Sequence, residues 1–193
     1  DAERDQDPIY AVLRGVGTSS DGRSKSVYAP LPEGQAKAIR RAYAQAGYGP
    51  ETVGMVEAHG TGTKAGDAAE FEGLRLVFGD DAAPQSIALG TVKSQIGHTK
   101  AAAGAAGLFK VIMALRHNVL PATLKVSAPD PRLDIYNSPF YLQNSATPWV
   151  RPSNHPRRAS VSSFGFGGSN FHLTLEAYEG AHAASRLRAT PAE

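Results

Sequence analysis

The chain contains no cysteine among its 193 residues. This excludes disulfide bonds, thiolate metal sites and a cysteine nucleophile within the chain itself. A sequence without disulfides is compatible with a reducing compartment, and we expect a cytoplasmic location. Long hydrophobic runs are missing as well, because no apolar stretch approaches the roughly 20 residues that cross a bilayer. We therefore predict no membrane partner.

Strong charge of either sign is also absent. The formal net charge of +2 produces no field that would favour nucleic acid or a membrane surface as a partner. The sequence lacks the phosphate-binding, zinc-protease and serine-hydrolase motifs. Residues 1–7 are charged and have neither an initiator methionine nor a hydrophobic signal region, so we expect them to be a cut or linker segment.

The pattern of apolar residues predicts strands alternating with helices, followed by a hairpin. Predicted strands cover residues 9–17, 53–58, 87–92, 159–164 and 171–178, and predicted helices begin near residues 33, 67 and 101. Residues 19–32 read as a loop, and 121–156 as a proline-punctuated section with short strand candidates at 139–143 and near Trp149. Such an order indicates an α/β protein with a mixed sheet.

Three local features refine these elements. Asp67 and Glu70 have the spacing of a capping box at the start of the second helix. The helix at 101–117 opens almost entirely with Ala and Gly, so Gly104 and Gly107 should allow a close approach by another element or a ligand. In the last strand, Phe171 and every second residue after it alternate with the more polar set that begins at His172, as residues on the two faces of a strand do.

Two histidines stand out, each flanked by glycine and each placed between a strand and a helix. A neutral imidazole can donate a hydrogen bond to a carbonyl or enolate oxygen, so His59 and His98 could hold one developing oxyanion. Lys93 would add positive charge, and the glycine-rich turn at 165–168 could present backbone N–H groups as an oxyanion hole. A lone histidine is more often structural, and a metal site made by His59, His98 and Asp67 stays open as an alternative.

Three motifs together resemble a known family. They are His-Gly-Thr-Gly-Thr at 59–63, Val-Lys-Ser-Gln-Ile-Gly-His-Thr at 92–99 and Ser-Phe-Gly-Phe-Gly-Gly-Ser-Asn at 163–170. In this order and spacing they resemble the C-terminal half of a β-ketoacyl synthase of the type I polyketide synthase kind, over roughly residues 8–178. Residues 19–23, 28–30, 33–35 and 64–70 look most like the ketosynthases of polyunsaturated fatty acid synthases.

The resemblance implies the C-terminal half of a thiolase-like fold, layered αβαβα in the complete domain. It implies an acyltransferase that performs a decarboxylative Claisen condensation between an acyl thioester and a malonyl unit. The malonyl unit is carried on the phosphopantetheine of an acyl carrier protein, and no cofactor is bound by this chain. The nucleophilic cysteine would lie in a missing N-terminal half, without which we expect no activity, and the complete domain would be a homodimer. Residues 179–193 would be a linker or flexible tail.

Four residues match catalytic positions of that family. His59 and His98 resemble the histidines that support decarboxylation and hold the enolate or thioester oxygen. Lys93 matches the lysine of the active-site hydrogen-bond network, and Phe166 matches the residue whose backbone N–H completes the oxyanion hole. The alternative is a non-catalytic scaffold or chain-length-controlling partner of the same fold.

Other residues match substrate-binding positions. Thr61 and Thr63 resemble hydroxyls that contact phosphopantetheine, Phe164 resembles a gating aromatic, and Gly167 should border the substrate. One position departs from the pattern of some discrete ketosynthases, which place a glutamate nine residues after the second histidine. This chain has Gly107 there, as type I enzymes tend to.

Overall fold

The fold is seen in a computed structural model that describes residues 1–23, 29–79 and 82–183. The α-helices are α1 (Ala2–Asp5), α2 (Pro32–Ala46), α3 (Lys64–Phe78), α4 (Lys93–Ile96) and α5 (Ala103–His117). The strands are β1 (Val12–Ser20), β2 (Met55–Glu57), β3 (Ile87–Gly90), β4 (Val119–Leu120), β5 (Phe140–Leu142), β6 (Thr147–Pro148), β7 (Arg158–Gly165) and β8 (Ser169–Glu176). Short 3-10 helices lie at Pro50–Thr52, Lys100–Ala102, Pro131–Leu133 and Ile135–Asn137.

Six of the strands form one sheet in the order β1-β8-β7-β2-β3-β5. The strands β7, β2, β3 and β5 run parallel, whereas β8 is antiparallel to both of its neighbours. The predicted terminal hairpin is β7–β8, with Gly165 opposite Ser169 at its tip. The α/β class and the mixed sheet predicted from the alternation of elements are therefore confirmed.

Helices cover both faces of this sheet. Because successive strand residues point to opposite faces, Met55 of β2 joins a core with Val111 and Leu115 of α5, and Val56 joins a core with residues of α2 and α3. The edge strand β1 lies very close to α2, since a Cβ atom at Gly17 would overlap the carbonyl oxygen of Ala38. The site described below lies where β2, β3 and β7 end.

Several predicted boundaries were wrong by a few residues. The first strand continues to Ser20, inside the predicted loop, because Ser19 and Ser20 pair with Asn170 and Ser169. The strand predicted to reach residue 92 ends at Gly90 and is followed by α4. The long helix begins at 103, after a 3-10 turn. Residues 24–28 of the predicted loop lie outside the described residues. They include Tyr28, the first residue of the stretch 28–30 that resembles polyunsaturated fatty acid synthases.

The predicted capping box was also wrong. Helix α3 begins three residues before Asp67, and Thr63 caps it by accepting a hydrogen bond from the Gly66 N–H. Asp67 accepts from the Gly62 N–H of the preceding loop. Glu70 does reach back, but to a different segment of that loop, as described below.

The more polar face of β8 is the better buried of its two faces. Phe171 is 49 % exposed, whereas His172 and Thr174 on the more polar face are fully buried. Helix α2 covers that polar face, where the ring of Tyr43 lies 5.7 Å from the ring of His172. The opposite face is only partly covered, and Leu175 is buried there.

Both ends of the described chain meet at the same place. The backbone N–H of Ile9 donates to His182 O, and the Tyr178 hydroxyl donates to Glu3. Each predicted linker therefore contacts the half domain near its other end, since Glu3 of residues 1–7 meets Tyr178 and His182 of residues 179–193 meets Ile9. Residues 184–193 lie outside the description. Within the described ranges, every helix is too short or too polar to cross a membrane.

Candidate active site

His59 lies in the loop between β2 and α3, and a buried carboxylate holds the backbone of that loop. The N–H groups of His59 and Gly60 donate to the two oxygens of Glu70 at 2.7 and 2.8 Å. The His59 ring is partly buried, and its Nδ1 atom is buried without a hydrogen-bond partner among the described residues. Burial lowers the pKa of His59 to about 4, with further contributions from Lys93 and His98. The imidazole is therefore neutral at pH 7.

His98 faces His59 from the loop between α4 and α5. The two ring centroids lie 5.5 Å apart with an interplanar angle of 87°. The Nδ1 atom of His98 accepts a hydrogen bond from the Lys100 N–H at 3.0 Å, so in the neutral ring the proton is on Nε2. Slight burial and the nearby charges of Lys93 and Lys100 lower the pKa of His98. Two neutral imidazoles thus meet edge to face.

The third part of the site is the turn of the β7–β8 hairpin. Phe164 is buried with its ring 6.0 Å from the His59 ring, and the Phe166 side chain is 87 % exposed at the tip. Asn170 stabilises this turn, because its side-chain amide donates a hydrogen bond of 2.6 Å to Asp21. The Asp21 N–H donates in turn to Gly168 O. These contacts fix the backbone around Phe166.

A cavity of about 590 Å³, which we call the histidine cavity, joins these three loops. Most of the residues predicted for the site line it, namely His59, His98, Thr61, Thr63, Phe164 and Phe166. Thr61 and Thr63 share a hydrogen bond of 3.0 Å between their hydroxyls, so Thr63 serves as helix cap and cavity wall at once. Gly167 does not line the cavity but allows the turn its φ of 85°.

Lys93 lies on the other side of the His59 loop. It lines an adjoining cavity of about 500 Å³, the lysine cavity, which shares Thr61 and Glu70 with the histidine cavity. Burial lowers the pKa of Lys93, while the carboxylates of Glu70 and Glu57 oppose that shift. Lys93 therefore acts on both imidazoles through its charge, since each has its pKa lowered by it.

The sequence pattern does not reveal the roles of two buried carboxylates in this region. Its spacing indicates a capping residue at Glu70, and no motif includes Glu57, which lies on β2 two residues before His59. Glu57 contacts Lys110 of α5 at 2.7 Å. The available signal is a charged residue at the end of an otherwise apolar strand, which is unusual unless the charge is paired.

The alternative metal site receives no support from the geometry. Asp67 is engaged by the Gly62 N–H, and in the part of the chain that the structure describes no three His, Asp or Glu side chains are grouped so that they could hold a metal ion. The arrangement fits acid–base and hydrogen-bond chemistry at an oxygen atom. Two neutral imidazoles and a fixed glycine turn around one cavity can stabilise a negative charge that develops on a substrate.

Comparison with known proteins gives a consistent result. Residues 10–127 match the family model described as "Beta-ketoacyl synthase, C-terminal domain". The chain is 47% identical to one of the polyunsaturated fatty acid synthase proteins of Thraustochytrium sp., over 99% of this chain and 7% of that protein. It is 42% identical to the polyketide synthase PksL from Bacillus subtilis, over 93% of this chain and 4% of that protein.

Solved structures show the same likeness. The ketosynthase from module 6 of the bacillaene synthase from Bacillus subtilis matches with a TM-score of 0.90 and 42% identity, over 94% of this chain and 34% of that chain. An oxazolomycin ketosynthase domain from Streptomyces albus matches with a TM-score of 0.88 and 40% identity, over 92% of this chain and 32% of that chain. The chain thus spans about a third of the length of each of these two solved structures.

Proposed function

Because the chain belongs to the β-ketoacyl synthase family and contains its C-terminal domain, as its motifs predicted, we propose that it supplies the two-histidine part of a condensing site. The likeness to solved ketosynthases also confirms the thiolase-like α/β fold class. The observation that carries the proposal is the pair of imidazoles, 5.5 Å apart, on a cavity that the Phe166 turn also lines.

The proposed reaction is a decarboxylative Claisen condensation of polyketide or polyunsaturated fatty acid synthesis. A malonyl thioester loses CO₂, and the electron pair of the broken C–C bond becomes an enolate. The enolate carbon then attacks an acyl thioester and releases the thiolate that carried it. Negative charge develops on a thioester oxygen in both steps, so hydrogen-bond donors placed at that oxygen accelerate them.

The protonation of the histidines suits this work. A His59 pKa of about 4 keeps that ring neutral. The ring can therefore donate a hydrogen bond in each catalytic cycle without first gaining or losing a proton. His98 presents Nε2–H because its Nδ1 accepts from Lys100. We propose that both rings donate to the malonyl thioester oxygen and that Lys93, from the adjoining cavity, stabilises the enolate through its charge.

The remaining predicted residues bind the substrate. Thr61 and Thr63 on the wall of the histidine cavity would contact the phosphopantetheine arm of an acyl carrier protein. Phe164 against His59 would gate the acyl group, and the backbone N–H of Phe166 would complete the oxyanion hole for the acyl thioester. Gly167 would contribute only through the shape of the turn.

The nucleophile has to come from elsewhere, because the chain has no cysteine. We propose that a cysteine-bearing N-terminal half completes the site, that residues 8–178 form the half domain with linkers on either side, and that the complete domain is a homodimer. The isolated chain should then show no condensing activity and should regain it beside the cysteine-bearing half. Elongation of an acyl thioester by the isolated chain would contradict this.

The direct test is His98→Ala in the assembled enzyme. We expect condensation and malonyl decarboxylation to slow about 10²–10³-fold, the usual loss of one transition-state donor. His117→Ala is the matched control, because His117 ends α5 and lines neither cavity. An unchanged rate in His98→Ala would favour the alternative, a non-catalytic scaffold or chain-length-controlling partner.

A further inference from the structure

A buried ion pair lies beneath the two histidine loops. Glu57, the last residue of β2, is 1 % exposed, and its Oε2 lies 2.7 Å from Nζ of Lys110 on α5. Among the salt bridges of the described residues, this is the one whose two side chains are both less than a tenth exposed. A buried pair is weak grounds for stability, because the cost of removing both charges from water offsets their attraction. The presence of this pair therefore calls for an explanation other than stability.

The second oxygen of Glu57 points to such an explanation. Oε1 accepts a hydrogen bond of 2.6 Å from the N–H of Val92. Val92 is the residue before Lys93 and stands at the N-cap of α4, whose end leads directly into His98. One carboxylate therefore joins the strand that delivers His59, the segment that carries Lys93 and His98, and the helix that follows His98.

The packing around the pair leaves it little freedom. A Cβ atom at Gly107 would lie 3.1 Å from Cγ of Glu57, and a Cβ atom at Gly90 would lie 3.4 Å from Nζ of Lys110. Both glycines bring the main chain of α5 and β3 close to the charged groups. The carboxylate is thus confined on several sides while its oxygens hold Val92 and Lys110.

We propose that Glu57 is a positioning residue, whose hydrogen bond with the Val92 N–H holds the Lys93–His98 segment in place relative to His59, while Lys110 balances its buried charge. This inference rests on the proposed function of the histidine cavity. Glu57 acts through the Val92 N–H and touches no substrate. A displacement of about 1 Å in a catalytic group can lower a rate about 10²-fold, so the loss of this anchor should lower the turnover number and leave substrate binding largely intact.

The test compares two double variants of the assembled condensing enzyme. E57Q/K110M removes both charges but keeps an amide oxygen that can accept from Val92. E57L/K110M removes the charges and that acceptor together. We expect E57Q/K110M to stay within about threefold of the wild-type kcat for malonyl decarboxylation. We expect E57L/K110M to fall about 10- to 100-fold with KM changed less than about twofold.

Two further variants separate positioning from folding. Val92→Pro deletes the donor, and its ring takes the space of the N–H, so the Glu57 carboxylate loses this contact while both residues of the ion pair remain in the chain. The φ of −63° at Val92 is one that proline adopts. It should reproduce the kcat loss of E57L/K110M even if that variant folds poorly. Glu176→Gln is the matched control, because it breaks a partly buried pair with Arg158 on β7 and β8. It should lower the melting temperature and leave kcat unchanged.

The outcomes are distinct. Equal kcat values for the two double variants, or a wild-type kcat in Val92→Pro, would overturn the positioning role. A kcat loss that only follows the fraction of unfolded enzyme would overturn it as well. His98→Ala is assayed in the same enzyme. If the proposed function fails, His98→Ala itself has no effect, so that failure can be told apart from a failure of the positioning role.

Discussion

Glu70 should make the stability of the fold fall as the pH rises, and replacing it by glutamine should remove that dependence. The carboxyl is fully buried, and burial raises its pKa to about 7 from an ordinary value of 4.5, against the opposing hydrogen bonds from Gly60 and His59. Between these two pH values the folded state binds a proton that the unfolded state has released. The contribution of Glu70 to stability is therefore complete below pH 4.5 and is lost as the pH rises through 7.

The size of the effect follows from the pKa. A rise from 4.5 to about 7 corresponds to about 3 kcal/mol, at 1.36 kcal/mol per pH unit. The wild-type curve alone does not isolate this contribution. The lowered pKa of His59, about 4, makes stability rise with pH over much of the same range. The quantity to measure is therefore the free energy of unfolding of the wild type minus that of Glu70→Gln.

Urea unfolding at half-unit steps from pH 4.5 to 8 gives this difference. We expect the difference to fall by about 3 kcal/mol between pH 4.5 and 7 and then to level off. Glu72→Gln is the control for removing a carboxylate from the same helix, since Glu72 is exposed. A flat or rising curve for Glu70→Gln would refute the reasoning.

Two further predictions concern the side of the sheet covered by α2. Gly17→Ala should destabilise the fold by more than about 3 kcal/mol, because its Cβ would lie 2.6 Å from the Ala42 backbone nitrogen and neither backbone can yield. Thr18→Ala, on the exposed side, should change the unfolding free energy by about 0.5 kcal/mol or less in the same denaturation assay. Burial lowers the pKa of His172 to about 3, so the contribution of His172 to stability is complete above pH 6.5 and falls as the pH drops towards 3. In thermal melts from pH 3 to 7, His172→Gln should weaken the fall in stability towards low pH. An unchanged fall would contradict the lowered pKa of His172.

The sequence predicted the features that depend on local pattern. The β7–β8 hairpin follows from two β-rich runs around a glycine turn, and the Ala/Gly start of α5 correctly predicted close approach. A Cβ at Gly104 would lie 3.2 Å from Oγ of Ser163, and one at Gly107 lies similarly close to Glu57. Each of these inferences needs only neighbouring residues and the period of the element.

Features that depend on distant partners were not predictable in this way. Glu57 and Lys110 are 53 positions apart, and Asp21 and Asn170 are 149 apart. Nothing local indicates which carboxylate meets which cation or amide, because the fold itself brings them together. The prediction for the N-terminal cap of α3 failed for a different reason. Thr63 and Asp67 are both good capping residues, and only the path of the loop decides between them.

The pairing of β1 has a consequence for the order in which the sheet can be completed during synthesis. Among the described strands, the first strand of the sheet pairs only with β8, the last one, with Val12 opposite Glu176. Helix α2 follows β1 directly and can cover it early. The hydrogen-bonding edge of β1 stays unpaired until the rest of the domain, including β8, has left the ribosome. Closing so long a loop is slow, and an unpaired strand edge invites misassociation meanwhile. The half domain should therefore depend on chaperones more than its size suggests.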